Sequence, residues 1–561
     1  MTSTLGFVLA AFLAFAPAPT GVEGARDLIL LAEGRPIFLR LRVTTGDLPF
    51  DSSWLDSVRT LHACLDRDGD GKLTTTEAGA DALAALVRLA TGGAATLPRV
   101  ELDVDPKDGV VSIEELAEAL RPALGPFRVQ IGRLANGRTD ALFDHLDRDK
   151  DGQLTKPELA AIAGSLRRLD LDDNEMISAE ELEPFNNQAA LARAEDLSDR
   201  RSRFTALPPV VELVAGESSL RLARLLLKKY DKGRDDAPGR PDNKLSRAEF
   251  AIDADAFAAS DANGDEALTT EELRRFLAKA PVDLVLDLAF SPTASSRATV
   301  RIGGEGGVLS KGAKARLLAD GDVEFAVGQV RLDVHVDDGD SAAENARRVV
   351  SRRFQAADAN KDGYLEGKEL ASENTPNDPL AGLTTIIDRN GDGKIYAQEL
   401  VDFIDRQSRA ARGRLVLNVA DRGRAIFGIL DLDRDRRLGV REVRRTVGRV
   451  TSWDADGDGR VSADEIPYHF QVTITRGELS GLTAPAVAGA APRSMAAPRS
   501  TAGAGPDWFR LMDRNRDGDV SHREFLGPRD QFNRLDRDKD GLIDADEAAR
   551  VNASAPDGSK P

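Results

Sequence analysis

A twelve-residue acidic string recurs along this chain, and any fold it adopts must give each copy a tight loop. DRDGDGKLTTTE, Asp66 to Glu77, returns as DRDKDGQLTKPE from Asp147, DANKDGYLEGKE from Asp358, DRNGDGKIYAQE from Asp388, DADGDGRVSADE from Asp454, DRNRDGDVSHRE from Asp513 and DRDKDGLIDADE from Asp536. These copies share Asp at position 1, Asp or Asn at 3, Asp at 5, Gly at 6 and Glu at 12. Three more, from Asp170, Asp261 and Asp431, keep most of the acids and replace the glycine with Glu175, Glu266 and Arg436. Repetition on this scale, in a chain of 561 residues, argues for an array of small units over one large core.

The spacing has a chemical reason. A hard cation such as calcium takes about six to eight oxygens at about 2.3 to 2.6 Å, from side chains at positions 1, 3 and 5, a main-chain carbonyl at 7 and a bidentate Glu at 12. The candidate ligands are therefore Asp66, Asp68, Asp70, Lys72 and Glu77; Asp147, Asp149, Asp151, Gln153 and Glu158; Asp170, Asp172, Asn174, Met176 and Glu181; Asp261, Asn263, Asp265, Ala267 and Glu272; and Asp358, Asn360, Asp362, Tyr364 and Glu369. The later copies add Asp388, Asn390, Asp392, Lys394 and Glu399; Asp431, Asp433, Asp435, Arg437 and Glu442; Asp454, Asp456, Asp458, Arg460 and Glu465; Asp513, Asn515, Asp517, Asp519 and Glu524; and Asp536, Asp538, Asp540, Leu542 and Glu547. The seventh residue of each set acts through its carbonyl. Glycine at position 6 permits the sharp bend, so its loss weakens three sites without abolishing them. Position 8 is always aliphatic, from Leu73 to Ile543, and suits a short antiparallel bridge between two loops. A Phe four residues before the loop, as at Phe143, Phe257 and Phe509, and an apolar residue after the closing Glu, as at Leu159 and Leu273, read as flanking helices.

These loops resemble those of the EF-hand superfamily, and the arrangement is similar to bacterial exported multi-EF-hand calcium-binding proteins. The resemblance covers about ten loops with their flanking helices, about half of the chain. Dockerin-type and thrombospondin-type calcium repeats are the other reading; those lack a full incoming helix, for which the Phe before the loop argues here. Two damaged copies, around Asp103 and Asp231, carry insertions before Gly109 and Asp242, with Glu115 and Glu249 in the closing role. They are expected to complete pairs while binding weakly or not at all.

Loop starts fall at 66 and 103, 147 and 170, 231 and 261, 358 and 388, 431 and 454, 513 and 536, which suggests pairing of sequence neighbours. In three of these pairs the spacing is 23, leaving 11 residues, room for one helix of about 16 Å that serves both loops. Calmodulin, by contrast, has two helices between paired loops, so hinge-like opening is disfavoured here. Alternation of Leu332, Val334 and Val336 with polar neighbours, and of Phe470, Val472 and Ile474, marks half-buried antiparallel strands, and 282–336 suggests a small sheet. LLAEGRPIFLRLRV at Leu30 echoes the stretch from Leu317, and GPFRVQIG at Gly125 that from Gly413, as if a unit were duplicated.

The expected fold is thus α+β, an array of about six EF-hand pairs with interleaved antiparallel strand segments. The divisions are a signal peptide at 1–25, an EF-hand pair with a leading strand at 26–125, a pair at 126–200, a pair with a degenerate first loop at 201–280 and a strand-rich segment at 281–340. Pairs at 341–412 and 413–482 follow, then a flexible Ala/Pro linker at 483–506, a C-terminal pair at 507–550 and a disordered tail at 551–561.

Composition narrows the function. There are 94 Asp plus Glu against 76 Lys plus Arg, a formal charge of -18, and 35 of those acids sit at ligand positions in the ten better loops. Such acidity argues against a nucleic-acid partner. A single cysteine, Cys64, excludes internal disulfides and multi-cysteine zinc sites, and the five histidines suit structural roles. Leu5 to Ala16 is an apolar run of signal-peptide length, so the chain is expected to be exported to a periplasm, cell envelope or the medium, with no transmembrane span. No nucleophile-elbow, zincin or phosphate-loop motif points to an enzyme. The favoured role is a calcium-stabilised exported structural or buffering protein; magnesium suits the bidentate Glu less well. The alternative is a calcium-dependent sensor or adaptor for a protein partner of the cell envelope, against which stand only four Met and the shared connectors.

Overall fold

The computed structural model describes residues 25–46, 48–91, 102–104, 107–131, 141–161, 168–170, 172–182, 208–213, 220–233, 241–291, 298–303, 312–318, 321–337, 340–358, 360–366, 369, 383–424, 426–431, 437–477, 479 and 505–553. The expected signal peptide except Ala25, which begins the strand Ala25–Leu31, nearly all of the linker and most of the tail lie outside them; of the tail, 551–553 continue a helix, Ala545–Ala553. The chain divides into two units, Met1–Trp54 with Leu207–Ala313, and Leu55–Ala206 with Lys314–Pro561.

The first unit is a sheet with a helix-loop-helix pair on it. Ala25–Leu31 and Pro36–Thr45 form a hairpin, turned by Gly34 at φ +84°, and the order across the sheet is Thr299–Ile302, Leu284–Phe290, Pro36–Thr45, Ala25–Leu31, Val210–Leu213. Ile29, Leu31 and Phe38 pack on helices Leu220–Tyr230 and Thr270–Ala278, in a core with Phe250, Phe257 and Phe276. Leu28, Leu30, Ile37, Leu39 and Leu41 on the opposite face are also at 0 or 1% exposure. Burial on both faces explains why these strands read as apolar runs without strict alternation.

The second unit contains another sheet, ordered Lys314–Leu317, Val323–Val327, Val330–Asp337, Tyr468–Arg476, Leu415–Gly423, Phe127–Ile131. Both sheets are mixed, which corrects the antiparallel expectation. Pro36–Thr45 runs parallel to Leu284–Phe290, Val330–Asp337 to Tyr468–Arg476, and Leu415–Gly423 to Phe127–Ile131. A parallel partner needs a long crossover, and here the loop-bearing segments are the crossovers. The 282–336 stretch is correspondingly not one sheet: Leu284–Ile302 joins the first unit and Lys314–Asp337 the second. The leading strands of the expected 26–125 division likewise belong to the first unit and its loops to the second.

Short antiparallel bridges join the loops two by two, always at position 8. Leu245 faces Leu268, Leu365 faces Ile395, and Val520 faces Ile543, while the Leu73 carbonyl accepts from the Val111 amide at 2.7 Å. Two expected pairings are wrong. Leu154 of the 147 loop faces Val461 of the 454 loop, and Ile177 of the 170 loop faces Leu438 of the 431 loop. The divisions 126–200 and 413–482 are therefore not separate pairs but one interlocked four-loop body, with Phe143, Leu146, Leu159, Leu182, Val443, Val450 and Trp453 in a common core. The cause is the connector. Val440–Val450 is an unbroken helix, continued by the turn Thr451–Trp453, so it carries its two loops at opposite ends, too far apart to lie back to back. The equally spaced 513 and 536 loops do pair, because Gly527 and Pro528 interrupt their connector before the helix Arg529–Leu535 begins.

Candidate metal centre

Each loop is shaped by its own acids. In the Asp66 loop the position 1 carboxylate accepts from the amides of Gly69 and Gly71 at 2.8 and 2.9 Å, Asp68 accepts from Asp70 at 3.1 Å and Asp70 from Lys72 at 2.7 Å. The same ladder recurs at Asp261, Asp388 and Asp454, whose position 1 carboxylates take the sixth amide at 2.8 to 2.9 Å. Asp147, Asp170, Asp358, Asp513 and Asp536 accept from the sixth-position amides of Gly152, Glu175, Gly363, Gly518 and Gly541 at 2.9 to 3.2 Å. Positions 3 and 5 follow suit: Asp149, Asn263, Asn360, Asn390, Asp456, Asn515 and Asp538 each take the fifth amide at 2.8 to 3.2 Å. Asp151, Asn174, Asp265, Asp362, Asp392, Asp458, Asp517 and Asp540 each take the seventh at 2.7 to 3.2 Å. Asp172 departs from the pattern, accepting from the Asn174 side-chain amide at 2.8 Å. Asp433 and Asp435 lie outside the described residues.

The closing Glu links loop to helix. Glu158, Glu181, Glu272, Glu465 and Glu524 take the amide of the ninth residue at 2.8 to 3.0 Å, and Glu158, Glu272, Glu465 and Glu524 also take that of the second at 2.8 to 3.0 Å. Glu77, Glu369, Glu399, Glu442 and Glu547 are held by the same ninth-position contact. At Thr269 the ninth residue also caps the exit helix, and Glu272 completes the capping box. The hydroxyls of Thr74, Thr155, Ser178, Thr269 and Ser462 donate to the same Glu oxygen as their amides, so an arriving cation would have to compete with these bonds for that oxygen. Bonds from Thr74 hold the Glu77 carboxyl down at about 2.

The fit to a cation is visible in atoms that nothing else explains. Asp103 Oδ1, Asp513 Oδ1 and Asp536 Oδ1 are buried without a hydrogen-bond partner. Ligand oxygens converge within 4.8 Å in the sets Asp66, Asp68, Asp70; Asp147, Asp149, Glu158; Asp170, Asp172, Glu181; Asp454, Asp456, Glu465; and Asp536, Asp538, Asp540. An all-oxygen set of this density suits a hard divalent ion. Crowding is greatest in the Asp513 loop, where burial pushes Asp517 up to about 7 and Asp519 up to about 6, the latter against the pull of Arg441.

Position 6 is left-handed whatever occupies it. Gly393 lies at φ +79°, and Glu175 and Glu266 at +64° and +61°, so the two described loops without glycine keep the bend under strain. The damaged loops also keep the frame: Asp103 accepts from Gly109 at 2.9 Å and Glu115 from Val104 at 2.7 Å, while Asp231 accepts from Asn243 at 2.7 Å and Glu249 from Lys232 at 2.7 Å. Asp108 and Asp242 fill position 5, a pattern that strict spacing hides. The signal for it was the capping box, Ser112 with Glu115 and Ser246 with Glu249. The histidines serve structure: His335 pairs with Asp322 at 2.6 Å, His469 with Asp333 at 2.9 Å, and His522 stacks on Phe532.

Helix, acidic loop, bridge and helix, repeated in couples, define a protein of linked helix-loop-helix cation-binding modules. The family model described as EF hand matches residues 139–163, 350–372, 385–404, 507–526 and 529–550, so these five segments are EF-hand repeats. It is similar to the probable calcium-binding protein CML33 of Arabidopsis thaliana, 24% identical over 127 residues that cover 19% of this chain and 90% of that one. No solved structure matches the chain.

Proposed function

We propose that this protein binds calcium through about ten EF-hand loops, which with the two damaged frames at Asp103 and Asp231 form six couples, as an exported structural or buffering protein whose fold the ions stabilise. The observation that carries this reading is the preformed oxygen frame, held by main-chain amides in loop after loop with buried oxygens left over at Asp513 and Asp536. Stabilisation fits better than sensing because the position 8 residues that couple the loops are themselves core, Leu154, Leu245 and Ile543 being at 0% exposure. Export rests on the apolar run at Leu5 to Ala16, and among the described residues no helix is long and apolar enough to cross a membrane. Each bound ion contributes RT ln(1 + [L]/Kd), about 2.7 kcal/mol at a hundredfold excess over Kd. Calcium calorimetry on the purified chain, with a site count, tests the reading; a count near zero overturns it. A second reading, calcium-dependent docking of an envelope partner, is favoured at the C-terminal pair by Leu511 and Leu526, exposed at 80 and 72%.

A further inference from the structure

The Asp513 loop is covered at positions where other loops face water. Its positions 3 and 5, Asn515 and Asp517, are half-buried, whereas Asp68, Asp70, Asp456 and Asp458 at the same positions are exposed, and Asp519 at position 7 retains 7% of its exposure. Its cover is the bridged couple of loops at 170 and 431, in the same unit. Asn515 Nδ2 donates to the Asn174 carbonyl at 3.0 Å, and a Cβ on Gly439 would lie 3.7 Å from that of Asp517. Arg441, the residue before the closing Glu442, forks onto Asp519 at 2.8 and 2.9 Å and lies 3.5 Å from Asp540; Arg444 donates to the Asp540 carbonyl. Arg523, the residue before the closing Glu524, returns the contact, 2.7 Å to Asp173 and 3.4 Å to Glu175.

These arginine contacts leave the ligand positions largely free. Asp519 stands at position 7, where only the carbonyl ligates, and Asp173 and Glu175 stand at positions 4 and 6, which do not ligate. Asp540, at position 5, is the shared group. Ion binding and docking are therefore compatible, and each favours the other. Burying carboxylates without a counter-ion is costly, and undocking would return them to water; a divalent ion in the Asp513 loop removes that cost and leaves the arginine forks in place.

We propose that the C-terminal pair of loops is a latch that calcium closes onto the bridged loops at 170 and 431, with Arg441 and Arg523 as its clasps. The inference rests on the calcium-binding reading. By linkage, an ion that favours the docked state is bound more tightly by it. The test uses the full chain labelled for Förster transfer at Leu526→Cys and Arg445→Cys, two exposed positions on either side of the contact. With calcium the transfer is high, and chelation causes its loss. Asp513→Ala with Glu524→Ala causes the same loss at saturating calcium, whereas Asp66→Ala with Glu77→Ala does not; Arg441→Gln with Arg523→Gln shifts the transition to higher calcium. Calorimetry on the same samples separates the two levels. Ions that bind without any change in transfer, or a rise in transfer on chelation, overturn the latch and leave calcium binding standing, while an absence of bound ions overturns both.

Discussion

Glu272 completes the cap of the helix after its loop, and on the calcium-binding reading it would also hold the ion; this double duty, shared by its counterparts that begin a helix, sets how the loops respond to substitution and pH. Position 6 responds to backbone alone. Glu266 holds φ +61°, which costs a non-glycine residue about 1 to 2 kcal/mol, partly offset by the chain entropy a glycine would lose. Glu266→Gly should therefore stabilise the chelated protein by up to about 1 kcal/mol in urea unfolding, and Gly393→Glu should destabilise it by about 1 to 2 kcal/mol. The acids predict a pH window. Asp517 and Asp519, raised to about 7 and about 6 from 3.8, bind more protons folded than unfolded above pH 3.8, so in chelator the C-terminal pair loses stability as pH rises toward 7. Calcium held by the Asp517 side chain must displace its proton, so its affinity there rises over the same window; equal affinity at pH 5.5 and 8 by calorimetry would contradict this. Glu77 has the opposite sign: lowered from 4.5 to about 2, its contribution is present above 4.5 and lost as pH falls toward 2. The hydrogen-bonded loop frame was legible in the sequence because its positions are fixed by spacing within twelve residues. The frames at Asp103 and Asp231 were obscured because insertions there lengthen the loop without moving its hydrogen-bonded ends.

Which loops couple is decided by connectors, and there the sequence was read only halfway. A spacing of 23 implied one helix serving two loops, which holds for Val440–Val450 between the 431 and 454 loops, but the stiffness of the connector determines the outcome. Val440–Val450 is continuous and separates its loops, while Gly527 and Pro528 break theirs and let them meet. The interlocked body follows, and it makes distant segments share their stability. Ile177→Ala, at a bridge position 4% exposed, should cost about 2 to 5 kcal/mol. Its effect should appear in hydrogen exchange at Leu438 and Val443, more than 250 residues away, as much as at Ser178; protection lost only around Ile177 would argue against interlocking. Strand existence was legible from periodicity, strand partners were not, because a parallel neighbour is set by where a crossover returns.

For the molecule as a whole, the formal charge of -18 is a property of the ion-free chain. About ten divalent ions would bring it to about +2 and remove the repulsion within each loop, about 0.8 kcal/mol for two carboxylates 5 Å apart in water. Chelation with EDTA is therefore expected to lower the melting temperature and the helix content together; identical melts with and without EDTA would show that the ions do not stabilise the fold. The division into two units escaped sequence reading because the apolar runs between 282 and 336 look alike although they end in different sheets. That division also has a consequence for synthesis. Pro36–Thr45 waits for its parallel neighbour Leu284–Phe290, roughly 240 residues further along. At about 5 to 20 residues per second the ribosome takes roughly 12 to 50 s to deliver it, and until then an apolar hairpin has an unpaired edge, so a nascent chain stalled in that interval is the form of this protein most prone to aggregate.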